Sequence, residues 1–385
     1  MFPGFRVSIC AAMACAISVA VSAQSSAKQS AWTIGPFTRP ATGNPVIAPN
    51  PASTFDDPIR HTPVHWEALH TFNPAAIVRN GKVYVLYRAE DDSGSMQIGM
   101  HTSRLGLAES TDGIHFTRSA TPVFYPAEDA QKDREWPGGV EDPRIVESED
   151  GTYVLTYTQW NRQTYSVGIA TSRDLLHWTK HGPAFAEAND GKYANLKYKS
   201  AGIVTQLNNG RLKAARIHGR YWMYWGEGAV HLATSSDLIH WSPVEDAQGQ
   251  PIELLRPRAG HFDSTFPETG PPPVLTRSGI VVMYNGKNAT EGGDPALGSN
   301  AYAAGEALFA ANDPSVELRT SPCKAWTRGL ATAFPGSRAT AVTWCPRLIS
   351  SFRMRLPTIP VAPNKTTFMK FSPAPWIAHF RTRKD

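Results

Sequence analysis

Two adjacent acids occupy a position in this chain where side chains could do chemistry. Glu141 and Asp142 stand in the segment GGVEDPRI, directly before a run of alternating apolar and polar residues that predicts a half-buried strand. Pro143 removes one backbone donor and is expected to hold Asp142 in an extended conformation. Arg144 can bind a carboxylate through two parallel hydrogen bonds. The motif alone leaves two interpretations open: a catalytic or binding site, or a purely structural salt bridge between Glu141 and Arg144.

Polar residues recur at comparable places near three other predicted strands. They are Asn73, Arg88, Glu90 and Asp91 in one segment, Glu227 between two glycines in the next, and Asp263 and Glu268 in the last. A solvated surface position is the ordinary fate of a single acid, but these clusters lie beside Trp and Tyr. Carboxylates accept hydrogen bonds from sugar hydroxyls, and pairs of carboxylates cleave glycosidic bonds. The pattern therefore favours a carbohydrate site.

The elements that must position these residues repeat along the chain. The segments LGLAESTDGIHFT, VGIATSRDLLHWT and VHLATSSDLIHWS align on Ala108, Ala170 and Ala233, at intervals of 62 and 63 residues. Each contains an alternating strand, a Ser-x-Asp turn, and a His followed by an aromatic residue. A weaker fourth copy begins at Ala307. A fixed period of more than ~40 residues, built from short strands, is typical of propeller blades.

The sequence therefore predicts an all-β protein, a five-bladed β-propeller over residues 60–320, and leaves open whether the last blade is complete. A pair of β-sandwiches is the alternative, but it would not explain the period. The inner strands of a propeller converge on a central axis, so the acids at their ends would meet in one funnel. Residues 24–59 are interpreted as an N-terminal extension that leads into the first blade.

Both ends of the chain differ from its centre. Residues 1–23 combine one Arg, an apolar stretch and a small-residue ending, which predicts a signal peptide cleaved after Ala23 and a secreted or periplasmic protein. Residues 321–385 hold 11 Lys or Arg and one acid, whereas the whole chain has a net charge of +5. This basic tail contains no readable blade repeat or alternating strand, so it is interpreted either as the product of a frameshift after about Arg319 or as a divergent or disordered extension.

Several classes of partner are not favoured. The basic residues of the tail are scattered among Pro, Thr and Ser without forming a stripe, so neither nucleic acid nor a membrane is predicted to bind there. Cys10 and Cys15 fall in the signal peptide, and Cys323 and Cys345 alone make neither a disulfide framework nor a metal site. The sequence predicts no cofactor and no metal, and it does not indicate an oligomeric state. The predicted partner is an oligosaccharide.

The motifs FNPAAIV, YRAED, GGVEDPRI, YTQW, ATSRDLLHW, GPPPVL and YNGKN resemble those of glycoside hydrolase family 130. The resemblance covers roughly residues 60–320 and implies a five-bladed propeller that acts on β-mannosides, as a phosphorylase or as a hydrolase. It implies that Asp142 is the proton donor, which in the phosphorylases acts through a sugar hydroxyl. Further predicted substrate-binding residues are Asn73, Arg88, Asp91, Glu141, Arg144, Lys199 and Asp263.

The sequence departs from the phosphorylase pattern near the expected phosphate site. It has Asn285 where phosphorylases typically have His, and Ser166 where an Arg is expected. Glu227 and Glu268 match acids of the hydrolytic β-1,2-mannosidase branch, and two carboxylates would repel phosphate and could deprotonate water. We therefore expect hydrolysis with inversion, with Asp142 as the acid and Glu227 or Glu268 as the base.

Two other functions remain open. Phosphorolysis is the first alternative, because the cations Lys197, Lys199, Arg216 and Arg256 are available to bind phosphate, although Lys199 could instead neutralise one of the acids. The second is a propeller that binds sugar, or a protein partner, without turnover.

Overall fold

The structure, a computed structural model, describes residues 32–35 and 45–321, together with the backbone of residues 365–371 and 378–384. Regular structure in these ranges is almost entirely β-strand. One short helix, α1 (Lys132–Glu135), is the exception among the described residues. This confirms the all-β class. None of the described helical structure has the length and apolar character needed to cross a membrane.

A short hairpin precedes two antiparallel meanders, which are groups of strands that pair with their neighbours in chain order. The hairpin consists of β1 (Phe55–Asp57) and β2 (Thr62–Val64). The first meander consists of β3 (His70–Arg79), β4 (Lys82–Glu90), β5 (Ser103–Ser110) and β6 (Thr117–Arg118). The second consists of β7 (Gly139–Glu147), β8 (Tyr153–Trp160), β9 (Tyr165–Ser172) and β10 (Thr179–Pro183).

The third meander is interrupted by a hairpin within its first strand. Its first strand is divided into β11 (Ala201–Ile203) and β14 (Arg216–Ile217). The hairpin between these two parts consists of β12 (Thr205–Asn208) and β13 (Arg211–Ala214). The remaining strands are β15 (Arg220–Trp225), β16 (Val230–Ser235), β17 (Trp241–Pro243) and β18 (Glu253–Leu255). The fourth consists of β19 (Phe266–Thr269), β20 (Val274–Thr276), β21 (Gly279–Lys287), β22 (Tyr302–Ala310) and β23 (Asp313–Thr320).

The predicted Ser-x-Asp segments form the same turn in three meanders. In the second meander, Ser172 Oγ accepts hydrogen bonds from the backbone of Asp174 and Leu175 at 3.1 and 2.9 Å. Asp174 Oδ1 accepts two more, at 2.8 Å, from the backbone of Leu176 and His177. Equivalent bonds surround Asp112 and Asp237. The sequence period therefore corresponds to a repeated structural unit.

The first three meanders each have a left-handed residue in or directly before their first strand. Asn73 has φ of 43°, Asp142 has φ of 49°, and Ser200, directly before β11, has φ of 59°. The strand register shifts around Asn73 and Asp142, as at a β-bulge, which re-aims the neighbouring side chains. The extended conformation expected for Asp142 is therefore wrong: the bulge requires a positive φ, which Asp and Asn adopt more readily than most residues.

Apolar side chains fill the spaces between successive meanders. The layer between the second and third contains Phe185, Tyr198 and Trp225, and the ring centroids of Phe185 and Tyr198 lie 4.5 Å apart. Similar layers join the first meander to the second and the third to the fourth. The other face of the first meander packs against the lead-in residues Ile47 and Trp66. Blades of a propeller stack in this way. The number of blades, five, and their closure into a ring stay predictions.

The basic tail is described only in part. Its backbone forms β24 (Lys365–Phe371) and β25 (Ala378–Lys384), which pair antiparallel. The sequence pattern gave no readable alternating strand in these two segments. Lys365–Phe371 includes two Thr and two Phe, which are favourable residue types for strands. The predicted signal peptide, residues 24–31, and Cys323 and Cys345 lie outside the described residues, as does the rest of the tail.

Candidate active site

Arg88, on β4, lies at the centre of a cluster of three carboxylates. Its Nη2 atom donates hydrogen bonds to Glu90 Oε1 at 2.6 Å and to Glu141 Oε1 at 2.7 Å. Its Nη1 atom donates to Asp142 Oδ1 at 3.2 Å, and its Nε atom donates to Ser103 Oγ at 2.9 Å. One guanidinium thus neutralises acids contributed by two meanders, and Arg88 is itself buried. The predicted residues Arg88, Glu141 and Asp142 are brought together.

The two acids of the EDPR motif differ in charge. Burial raises the pKa of Glu141 to about 7, and the negative charge of Asp142 adds to this rise. The positive charge of Arg88 lowers the pKa of Glu141 only in part. Burial also opposes ionisation of Asp142, but Arg88 and Lys199 lower its pKa to about 2. Asn73 Nδ2 donates to Asp142 Oδ1 at 2.6 Å, which favours the charged form further. Of the two acids, Glu141 therefore keeps its proton to the higher pH.

Arg144 binds backbone carbonyls instead of an acid. Its Nε and Nη2 atoms donate to the carbonyl oxygens of Gly270 and Thr269, both at 2.7 Å, and its Nη1 atom donates to the carbonyl oxygen of Asp142 at 2.8 Å. These bonds tie the start of β7 to the end of β19 and fix the backbone of Asp142. The salt bridge considered between Glu141 and Arg144 is not formed, because Glu141 pairs with Arg88. A contact between Arg144 and substrate stays a prediction.

Glu227 and Glu268 form a second acidic pair. They lie opposite each other in an antiparallel backbone bridge, so their side chains are neighbours on one face. Lys199 Nζ lies 3.1 Å from Glu227 Oε1. Ser200 Oγ donates a hydrogen bond to Glu268 Oε1 at 2.5 Å. The pair is thus held by two consecutive residues that directly precede β11.

Lys199 connects the two acidic groups electrostatically. Burial would lower the pKa of Lys199, but Glu268, Glu227 and Asp142 together raise it, so the lysine stays charged. Arg144 likewise interacts with both Glu268 and Asp142. The structure therefore brings the three predicted catalytic acids to one region, where the first strands of the second, third and fourth meanders begin. Two groups of carboxylates that share a central cation can serve acid and base chemistry.

Two other predicted binding residues are held by protein partners. Asp91 accepts hydrogen bonds from Arg104 Nη1 at 2.9 Å and from the backbone of Thr102 at 3.2 Å. Asp263 accepts from Arg258 Nε and from the hydroxyl of Tyr284, both at 2.9 Å. Both acids are buried. These contacts stabilise the loops beside the site, and a direct role in substrate binding stays a prediction for both residues.

Sequence reasoning missed Ser200 and the role of Glu90. Ser200 occupies the same place as Asn73 and Asp142 when KSAGIV is aligned with FNPAAIV and EDPRIV, so the repeat contained the signal. Glu90 accepts from Arg88 and lies 2.8 Å from His70 Nδ1. Burial opposes its ionisation, but Arg88 and His70 lower the pKa of Glu90 to about 2. Glu90 therefore keeps Arg88 in place as a permanent anion.

Comparison with known proteins finds a matching family model and related proteins. A family model described as beta-1,4-mannooligosaccharide phosphorylase, of glycoside hydrolase family 130, matches residues 40–322. A 1,2-beta-oligomannan phosphorylase from Thermoanaerobacter sp. (strain X514) is 33% identical over 253 residues, which is 65% of this chain and 72% of that protein.

Solved structures are also similar to this chain. A glycosyl hydrolase from Bacteroides ovatus is 52% identical, with a TM-score of 0.75 over 76% of this chain and 82% of its own. Another structure is 43% identical, with a TM-score of 0.78 over 92% of this chain and 95% of its own. It is described by the words "The GH130 family of mannoside phosphorylases contains glycoside hydrolases that target beta-1,2 mannosidic linkages in Candida mannan".

Proposed function

The chain belongs to glycoside hydrolase family 130, and we propose that within this family it hydrolyses β-mannosides with inversion at the anomeric carbon. The substrate that we propose is a β-1,2-linked manno-oligosaccharide, because two of the relatives carry that linkage in their descriptions. The single observation that carries the choice of hydrolysis is the side-by-side pair of Glu227 and Glu268.

Two adjacent carboxylates suit water better than phosphate as the nucleophile. Like charges at close range repel, and the repulsion is stronger in a site that is partly screened from water. The nearest cation, Lys199, is already 3.1 Å from Glu227 and also interacts with Glu268. A carboxylate beside a water molecule can instead act as a general base. This arrangement supports hydrolysis over phosphorolysis.

The acid in this mechanism is the Glu141–Asp142 pair. Burial keeps a proton on Glu141, whereas Arg88 and Lys199 keep Asp142 ionised in the free protein. Asp142, or a substrate hydroxyl bound to it, receives this proton and passes it to the glycosidic oxygen as the C1–O bond breaks. Inverting enzymes separate acid and base by about 6.5–9.5 Å to admit water. We expect that separation between Asp142 and the Glu227–Glu268 pair.

Phosphorolysis is the second candidate function. The relative from Thermoanaerobacter is named as a phosphorylase, and Lys199 stays charged beside the two acids. In that case phosphate would bind through Lys199 with at least one of the acids protonated.

The test is incubation of the protein with β-1,2-mannobiose in the presence and absence of inorganic phosphate. We expect mannose as the product, at a rate that phosphate does not increase, with the α-anomer formed first in NMR spectra. Glu268→Gln and Glu227→Gln variants should show which acid is the base through a loss of about 10²–10⁴-fold in kcat. Mannose 1-phosphate as the main product would show phosphorolysis, and binding without any product would show a sugar-binding protein.

The remaining sequence predictions are part of the same proposal. We propose a ring of five blades, of which the four described meanders form successive members. We also propose that the protein is secreted or periplasmic through residues 1–23, where a manno-oligosaccharide would be met outside the cytoplasm. N-terminal sequencing of the protein exported by its native host should begin at Gln24.

A further inference from the structure

A row of side chains extends from the acidic pair across the fourth meander. Glu227 lies opposite Glu268 in the backbone bridge, Glu268 lies opposite Asn285 in the β19–β21 ladder, and Asn285 lies opposite Ala304 in the β21–β22 ladder. Directly opposed residues of antiparallel strands place their side chains on the same face, about 4.5–5.5 Å apart. Asn285 is therefore the neighbour of Glu268 on the side away from Glu227.

Asn285 carries a buried acceptor that the fold does not satisfy. The residue is 1% exposed, and its Oδ1 atom has no hydrogen-bond partner among the described residues. Such buried atoms are few in folded proteins, and each one requires an explanation. The adjacent Glu268 is also an acceptor, and the Ser200 hydroxyl donates to only one of its oxygens, Oε1.

A donor that binds between two neighbouring acceptors would satisfy both of them. A water molecule has two O–H donors and can satisfy both atoms at once. A substrate hydroxyl has one O–H donor and could satisfy only one of the two acceptors. The geometry thus favours water.

We propose that Asn285 is a positioning residue that holds the attacking water against Glu268, which makes Glu268 the general base. This inference rests on the proposed hydrolysis. Glu227 makes the direct ion pair with the Lys199 ammonium, at 3.1 Å, and serves to exclude anionic nucleophiles.

The reaction step balances without any further reagent. The water donates one hydrogen bond to Asn285 Oδ1 and one to Glu268, so that a lone pair of its oxygen is directed at the anomeric carbon. A new C1–O bond forms as the glycosidic C1–O bond breaks. The water proton on the Glu268 side passes to that carboxylate, while the Glu141–Asp142 pair protonates the departing oxygen.

The experiment compares the steady-state hydrolysis of β-1,2-mannobiose by wild type, Asn285→Ala and Asn285→Asp over a range of pH. Asn285→Ala removes the acceptor and should lower kcat by about 10–100-fold while KM changes less than threefold. Asn285→Asp keeps an acceptor in place and should recover part of kcat at high pH. Its acidic limb should move to higher pH, because a second carboxylate disfavours the charged form of its neighbour.

A matched variant separates positioning from structure. Thr156 is also buried, and its hydroxyl donates to the carbonyl oxygen of Ala201 at 2.6 Å. Thr156→Val should lower the melting temperature without changing kcat or the pH profile. If Asn285→Ala behaves in the same way, with kcat unchanged in the folded protein, the inference is wrong although hydrolysis stands. If wild type releases mannose only as its 1-phosphate, the proposed function fails and the inference fails with it.

Discussion

Asp142 combines a chemical role with an unusual backbone conformation. Its φ of 49° lies in the left-handed region, where Asn and Asp are tolerated better than other side chains. Asp142→Asn therefore removes the charge while preserving the bulge. We expect kcat to fall by about 10²–10⁴-fold, the usual contribution of a general acid, with little change in the melting temperature. Steady-state kinetics and thermal unfolding of the same preparation would measure both quantities.

Asp142→Ala is the companion variant. It should lose activity to a similar extent, but it should also unfold at a lower temperature, because a left-handed Ala costs about 1–2 kcal/mol and the hydrogen bond from Asn73 is lost. An Asp142→Asn protein that unfolds readily, yet keeps its activity per folded molecule, would show that Asp142 is structural.

Residue types were easier to predict than their partners. The sequence indicated Asn73, Arg88, Glu141 and Asp142 as one site, and the structure brings them together. It did not reveal that Arg144 binds carbonyl oxygens, since two of the three belong to residues 269 and 270, far along the chain. Partner choice depends on strand register between meanders, and no local pattern encodes that register.

At the scale of the element, the Ser-x-Asp turns offer a prediction with internal replicates. Asp112, Asp174 and Asp237 each accept two backbone hydrogen bonds at 2.8 to 2.9 Å. Replacing any one by Ala should lower the free energy of unfolding by about 1–3 kcal/mol, because the turn loses two hydrogen bonds of about 0.5–1.5 kcal/mol each. Urea denaturation of the three variants would measure these losses.

The same variants should retain full activity. Each turn follows the third strand of its meander. In the second meander this turn lies at the end of the sheet where β7 finishes, whereas Asp142 lies near the start of β7. Asp174→Asn is the milder control, since its side-chain oxygen can still accept. Losses that differ widely among the three sites would contradict the idea that the repeat is one structural unit.

These turns were predictable because Ser and Asp bind backbone groups only two or three residues away. The hairpin of β12 and β13 was not predictable from the sequence. It pairs parallel with β20 through Thr205 and Val274, and with β7 through Lys213 and Glu147. These partners lie more than 60 residues away in sequence. Parallel pairing of this kind leaves no periodic signal in either segment, so it could be found only once the meanders were assembled.

At the scale of the whole molecule, the described N-terminal segment is attached to the fourth meander. The backbone amide of Ile34 donates a hydrogen bond at 2.9 Å to Glu306 Oε1, a side chain on β22. Glu306 is 3% exposed. Burial raises the pKa of Glu306 from 4.5 to about 7, while the bond from Ile34 lowers it only in part. A carboxyl group that joins segments more than 250 residues apart thus titrates near neutral pH.

Glu306 should therefore make the stability of the fold depend on pH. In the unfolded chain the group ionises near 4.5, but in the folded protein it ionises only near 7. Below about pH 4.5 the carboxyl group is protonated in both the folded and the unfolded state, and the fold has its full stability with respect to this group. As the pH rises from 4.5 through about 7, that stability is lost. The loss amounts to about 3 kcal/mol at higher pH, since each pKa unit corresponds to about 1.4 kcal/mol.

Glu306→Gln should abolish this dependence, because the amide stays neutral and its oxygen still accepts from Ile34. We expect the variant to melt at a higher temperature than wild type at pH 8 and at nearly the same temperature at pH 4.5. Glu291→Gln, at an exposed carboxyl side chain, is the control for removing one negative charge. If wild type is equally stable from pH 5 to 8, the fold accommodates the charged carboxylate and the prediction is wrong. If Glu306→Gln is less stable than wild type at pH 8, the bond to Ile34 needs the charge of the carboxylate.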